Sequence, residues 1–231
     1  MAAHAEHAVP ELPSLDPEVT LLESTAPGPL HALVVDHVLM ERSTAWWIDT
    51  HGYAQTEPLV RISPSQRILD RIQVARAFTA YQHYTLCERL LGDERFAAPG
   101  VDEDDVGLVI VPAIDAFYRD DDLQECEGHE MLVHALARLA GAARRYDCPV
   151  LVSRTDDDAF AEPVASCATD RLECEETSEG PRFSGENFET LVYSLGDGWV
   201  QTTLAFWATV LEQREAVYPT AITAGSISEV A

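Results

Sequence analysis

The chain has 231 residues, 46% of them apolar, and carries 40 acidic side chains against 15 basic ones for a formal net charge of −25. That apolar share excludes an intrinsically disordered chain, and the length suits one large domain with a well-buried core. No run of 18 apolar residues and no basic-apolar leader is present, which excludes a membrane-spanning helix and a secretory signal and leads us to expect a cytoplasmic protein. All the basic residues are Arg; the chain contains no Lys. Such an acidic surface repels itself in dilute salt and is screened in concentrated salt, so the composition points to a salt-rich, halophile-type cytosol. It also weighs against unaided nucleic-acid binding, which depends on neutralising phosphates. The 5 cysteines are irregularly spaced and are expected as reduced thiols.

In chain order, residues 1–16 read as a flexible lead, 17–217 as the folded core and 218–231 as a flexible tail. Residues 19–23 form a first strand, and a turn follows in which Gly28 stands between two prolines. Residues 30–41 read as a helix with Leu30, Leu33, Val34 and Val38 on one face. The apolar run 44–48 stops at the polar turn Asp49-Thr-His51-Gly52-Tyr53, which suits a buried strand and its loop. Ser63 with Pro64 signals a short helix start, and 72–75 another buried strand. Thr79 and Gln82 form a capping box for a helix running to Leu91, with Gly92 as its stop. An acidic loop at 102–105 precedes 106–111, a run of branched apolar residues typical of a parallel strand. Residues 120–127 read as a solvated acidic loop; a divalent cation site is the alternative, but the spacing matches no calcium loop. The segment 130–146 is an amphipathic helix with Leu132, Ala135, Leu136, Leu139 and Ala143 as its stripe and Arg144 and Arg145 at its C-terminal end. Cys126, His129 and His134 are the nearest thing to a zinc set, without a second ligand pair at finger-like spacing. Strands follow at 148–153 and 169–176. Residues 188–195 and 199–204 flank Gly196-Asp-Gly198 as a hairpin, and 212–215 extend a short terminal helix. The resulting fold class is α/β, with a mostly parallel central sheet, helices on both faces and a C-terminal antiparallel hairpin.

Three blocks carry a resemblance: Ile48-Asp49-Thr50-His51-Gly52 followed by Val74-Ala75-Arg76-Ala77-Phe78; Leu108-Val-Ile-Val111 followed by Phe117-Tyr-Arg119; and Thr169-Asp-Arg-Leu172. In order and spacing they resemble the RecA/RadA recombinase family, over roughly residues 19–204. The resemblance implies a RecA-like P-loop NTPase core whose phosphate loop lies between the first strand and helix. That loop needs Gly-x-x-x-x-Gly-Lys-Ser/Thr, and only a vestige remains at Ser24, Gly28 and Pro29; Pro29 lacks a donor N–H and no Lys exists to replace the missing one. Pro112 stands at the Mg²⁺-organising Asp position, with Asp115 three residues beyond. His51 stands at the catalytic Glu position and reads as a surface or loop-end His. Ser153, Arg154 and Thr155 replace the nucleotide sensor, and the two DNA-loop positions, 120–127 and 156–168, are acidic. The expectation is therefore no catalytic residue, no cofactor and no metal. The implied role is a non-catalytic RecA/RadA-like paralogue in DNA repair and recombination. It would regulate or assemble with an active recombinase or other RecA-fold ATPase, or self-associate through the RecA-fold subunit surface, with no direct DNA contact and no membrane. The alternatives are a residual ATP-binding protein, with chemistry built on His51, Asp115 and the acidic loop, and a KaiC-like signalling module.

Overall fold

A computed structural model describes residues 11–24, 26–91, 106–177, 180–186, 189–191 and 203–217. The elements in order are β1 (Val19–Ser24), α1 (Gly28–Glu41), β2 (Thr44–Asp49), α2 (Thr56–Ile62), α3 (Gln66–Leu69), β3 (Ile72–Arg76), α4 (Ala80–Arg89) and β4 (Val106–Val111). A 3-10 helix (Ala116–Arg119) follows, then α5 (Glu125–Tyr146), β5 (Val150–Val152), α6 (Glu162–Cys167), β6 (Asp170–Thr177), β7 (Gly180–Ser184), β8 (Glu189–Leu191) and α7 (Thr203–Val217). The described strands make one sheet in the order β3-β2-β4-β5-β1-β6-β7-β8. All neighbours from β3 through β6 are parallel, and β6-β7 and β7-β8 are antiparallel. The α/β class, the mostly parallel sheet and the antiparallel C-terminal edge all match the sequence reading.

The alternation of side chains along each strand divides the core in two. Leu22, Trp47, Ile110 and Leu151 face α1, α2, α3 and α7. Leu21, Trp46, Val109 and Val150 face α4, α5 and α6. The connections β1→β2 and β2→β3 move towards one edge and run over the first face. Those from β3 to β4, β4 to β5 and β5 to β6 move the other way and run over the second. Reversing both direction and face preserves handedness, so all five crossovers share one hand, as parallel connections require. No helix among the described residues is long and apolar enough to cross a membrane.

Helix α1 is buried almost all round, including Leu30, Leu33, Val34 and Val38 but also Val35 and Asp36. The reason is a second cover. α7 packs across it through Trp207, Val210 and Leu211, and Arg214 forms a two-pronged ion pair with the buried Asp36. Burial pushes the Asp36 carboxyl up, and Arg214 pulls it partly back.

Several expectations need correction. Ser63 does not start a helix; it closes α2, and α3 begins after Ser65. β3 is an edge strand with its side chains half-exposed or exposed, not a buried one. Helix α2 lies in a stretch to which no element was assigned, α6 lies within the 156–168 loop position, and α5 starts a turn and a half earlier, at Glu125. Leu12, inside the expected flexible lead, is buried against the α1 face of the core. Thr203 and Leu204 belong to α7, so the terminal helix is longer than 212–215 and the strand expected at 199–204 does not end there. The antiparallel edge is instead built by β6, β7 and β8. The Gly196-Asp-Gly198 turn, Gly92, the 102–105 loop, residues 1–10 and the tail from Pro219 lie outside the described residues.

Candidate functional site

Parallel α/β sheets bind ligands beyond the carboxyl ends of their strands, where neighbouring strands send their helices to opposite faces. Here β1 leads into α1 on one face, while its neighbour β5 leads into α6 on the other; β2 and β4 diverge in the same way. The turns after β1, β2, β4 and β5 therefore form the candidate site, and they contain every vestigial position read from the sequence.

After β1, the Ser24 hydroxyl donates to the Ala26 carbonyl at 3.0 Å and accepts the Ala26 N–H at 3.3 Å, closing a tight local turn. Helix α1 then opens with Pro27 as cap and Pro29 in its first turn. Two of the backbone positions that could aim an N–H at an anion are thus prolines without one. A cleft of 420 Å³ opens beside this turn, lined by Glu23, Arg154, Asp156, Asp157, Glu173 and Glu175 among others. The one cation among the described residues lining it is committed: Arg154 bonds Glu23 through Nε at 3.0 Å and through a second nitrogen, and reaches Asp157 at 2.6 Å. Arg171 also pairs with Glu23. What remains at the mouth is carboxylate, which repels phosphate.

After β2, the buried Asp49 accepts the Ala54 N–H at 2.8 Å, and Arg76 Nε lies 3.1 Å from its other oxygen, close enough for an ion pair though not aligned as a hydrogen bond. Thr50 donates to the Pro112 carbonyl, tying the ends of β2 and β4 together. His51 and Gly52 both have positive φ, 52° and 81°. This pair of left-handed residues throws the His51 side chain outward, where its ring lies 4.5 Å from that of Phe117. His51 is exposed at the loop end, as the sequence reading had it.

After β4, Pro112 is buried and its carbonyl is the acceptor for Thr50. Ala113 follows with φ 44°, its N–H donated to Ser153 Oγ at 2.9 Å. Asp115 has both oxygens engaged. It is wholly buried, accepts the Thr155 N–H at 2.7 Å and the Arg119 Nε–H at 2.6 Å, and so is spent as a strut. Arg119 continues the chain to both oxygens of Asp158, at 2.8 and 2.7 Å, and lies 4.7 Å over the Phe160 ring. That fork holds the Asp158 carboxyl well below the usual carboxylate range and pushes Arg119 up.

The remaining sequence candidates do not converge. Asp120, Asp121, Asp122 and Glu125 are exposed. Cys126 is exposed, His129 packs edge-on against Phe160, and His134 Nδ1 lies 3.4 Å from the Tyr84 hydroxyl.

Sequence reasoning missed His31. On the second turn of α1 and buried, it donates Nε2–H to the Tyr53 carbonyl at 2.8 Å and lies 5.8 Å from the Trp47 ring. Burial lowers its pKa despite that bond. The only signal was a His inside an otherwise apolar helix. His83 was also missed. It is buried, with Nδ1 2.7 Å from the Tyr118 hydroxyl, and burial lowers its pKa to about 4.

The sequence matches no protein-family model and no curated protein.

Proposed function

We propose that this chain is a non-catalytic relative of the RecA/RadA recombinases, working as a regulator or assembly partner of an active RecA-fold ATPase in DNA repair. The observation that carries this reading is the turn between β1 and α1. It holds two prolines and no Lys, and it opens on a cleft rimmed by carboxylates. Phosphoryl transfer depends on a cradle of N–H donors, a cation on the outer phosphates and a held Mg²⁺. Pro112 cannot hold the metal, Asp115 is engaged with Arg119 and Thr155, and His51 points out of the fold. The sheet with its turns gathered at one edge supports the scaffold part of the proposal.

Association is supported by the other end of the sheet. β3 is an unpaired edge among the described residues, and beside it Val74, Phe78 (74% exposed) and Tyr81 leave apolar surface in water. Such an edge is a template for a further strand or a partner's loop. The test is capture of partners on the full chain in molar salt, with Phe78→Glu as control. Recovery of a RecA-fold ATPase by wild type and not by the variant supports the proposal. Repeated recovery of none, or micromolar binding of ATP·Mg in calorimetry at the same salt, overturns it.

A further inference from the structure

Charge is unevenly spread along this chain. Residues 58–87 hold Arg61, Arg67, Arg71 and Arg76 against a single acid, Asp70, in a sequence with 40 acids and 15 basic residues. Two of the four Arg are committed: Arg61 pairs with Glu57, and Arg76 with Asp49 and the Ala54 carbonyl. Arg67 and Arg71 are not. Neither guanidinium has an ion pair or a hydrogen bond among the described residues; Arg67 is exposed and Arg71 half-buried. Both stand at the amino end of β3, Arg67 on α3 and Arg71 immediately before the strand.

That end of the strand is also open. Ala45 N–H donates to the Arg71 carbonyl and Ala77 N–H to the Asp49 carbonyl, which sets the phase of the parallel β2–β3 ladder. Ile72, Val74 and Arg76 therefore turn their N–H and C=O groups away from β2, and no described strand receives them. Sheet edges are commonly guarded by charge, and a guard works by repulsion. Copies of this chain, and any similarly acidic neighbour, would be repelled by Asp or Glu. Arg does the opposite and draws carboxylates to the edge.

We propose that the β3 edge takes an extended acidic peptide segment of a partner protein, which pairs with the outward groups of Ile72 and Val74 and sets carboxylates on Arg67 and Arg71. In concentrated salt the screening length is about 3 Å, so only charges in contact count, and two-pronged Arg–carboxylate contacts are of that kind. Backbone pairing sets a peptide apart from a nucleic acid, whose phosphates would meet the two Arg and leave the strand unpaired. The inference rests on the association reading above for the use of this edge, and adds the chemistry of what binds there.

The probe is a short fluorescent peptide with a Glu pair at one end followed by alternating Thr and Val, titrated into the full chain in concentrated KCl and followed by anisotropy. It is expected to saturate, and the same peptide with a Lys pair to bind about tenfold more weakly, the worth of two exposed ion pairs in contact. Arg67→Glu combined with Arg71→Glu is expected to exchange the two preferences; Arg67→Glu alone, at an exposed position, is expected to narrow the gap and serves where the double variant fails to fold. Methylating alternate backbone nitrogens of the Glu peptide is expected to abolish binding. No saturation, equal binding of the Lys peptide, indifference to backbone methylation, or displacement by an equal concentration of oligothymidylate would each overturn the proposal. Peptide binding with no ATPase captured would sink the recombinase reading alone, and capture without peptide binding would sink this inference alone.

Discussion

Asp115 shows how a carboxylate beyond the carboxyl ends of the strands can be wholly structural. Its two oxygens are used up by Thr155 N–H and Arg119, and Arg119 in turn clamps the 156–161 loop through Asp158. Removing one partner of a buried pair leaves the other uncompensated. Asp115→Ala is expected to cost about 3 kcal/mol in urea unfolding, and Asp115→Asn distinctly less because it keeps an acceptor for Thr155. His83 gives a pH signature. Its folded pKa of about 4 lies below the ordinary 6.5, so the unfolded chain takes up the proton first as pH falls. The stability it contributes is fully present above pH 6.5 and is lost as pH drops from there to about 4, by about 3 kcal/mol in all. The difference between wild type and His83→Gln, measured at pH 7.5 and 4.5 in the same salt, isolates this from the titrating carboxylates; a constant difference would refute it. At this scale the absence of Lys and the prolines at 27, 29 and 112 were legible in the sequence, because each is a matter of identity alone. The uses of the residues that remain were not. Thr155 lies 40 positions from Asp115, and only the pairing of β4 with β5 brings them together.

Among the elements, α5 makes its closest approach through Gly128, where an added Cβ would stand 2.1 Å from the Tyr118 backbone oxygen. Gly141, on the same helix, would meet only the tip of the Leu91 side chain, at 2.7 Å. A backbone oxygen cannot step aside and a methyl can. Gly128→Ala is therefore expected to lower stability by about 2 kcal/mol as α5 lifts off the 3-10 helix. Gly141→Ala is expected to raise it, by up to about 1 kcal/mol of helix propensity; equal effects in thermal unfolding would contradict the packing. The strongly periodic α5 and the apolar runs of β1, β2 and β4 were readable because each is a local pattern. α7 was read short because its apolar residues are spread around the helix, serving α1, α2 and Phe183 at once. β3 was read as buried because an apolar sequence does not say whether its strand lies at an edge.

For the whole molecule the governing quantity is charge. Forty acids on a 25.4 kDa chain repel one another through water, and the ion pairs on its surface are too few to offset them. The thermal midpoint is expected to climb steadily between about 0.1 M and 1 M KCl, over which the screening length falls from about 10 Å to about 3 Å. A midpoint indifferent to salt would show that the acids are already compensated within the fold. Finally, α1 is held between the sheet and α7, and a ribosome makes these two helices far apart in time. A nascent chain thus carries the outer side of its first helix greasy and uncovered until residues 203–217 have emerged. Stalled or prematurely terminated translation would leave that strip open to aggregation or to chaperone capture, so that emergence of α7, and not closure of the sheet, completes the cover of α1.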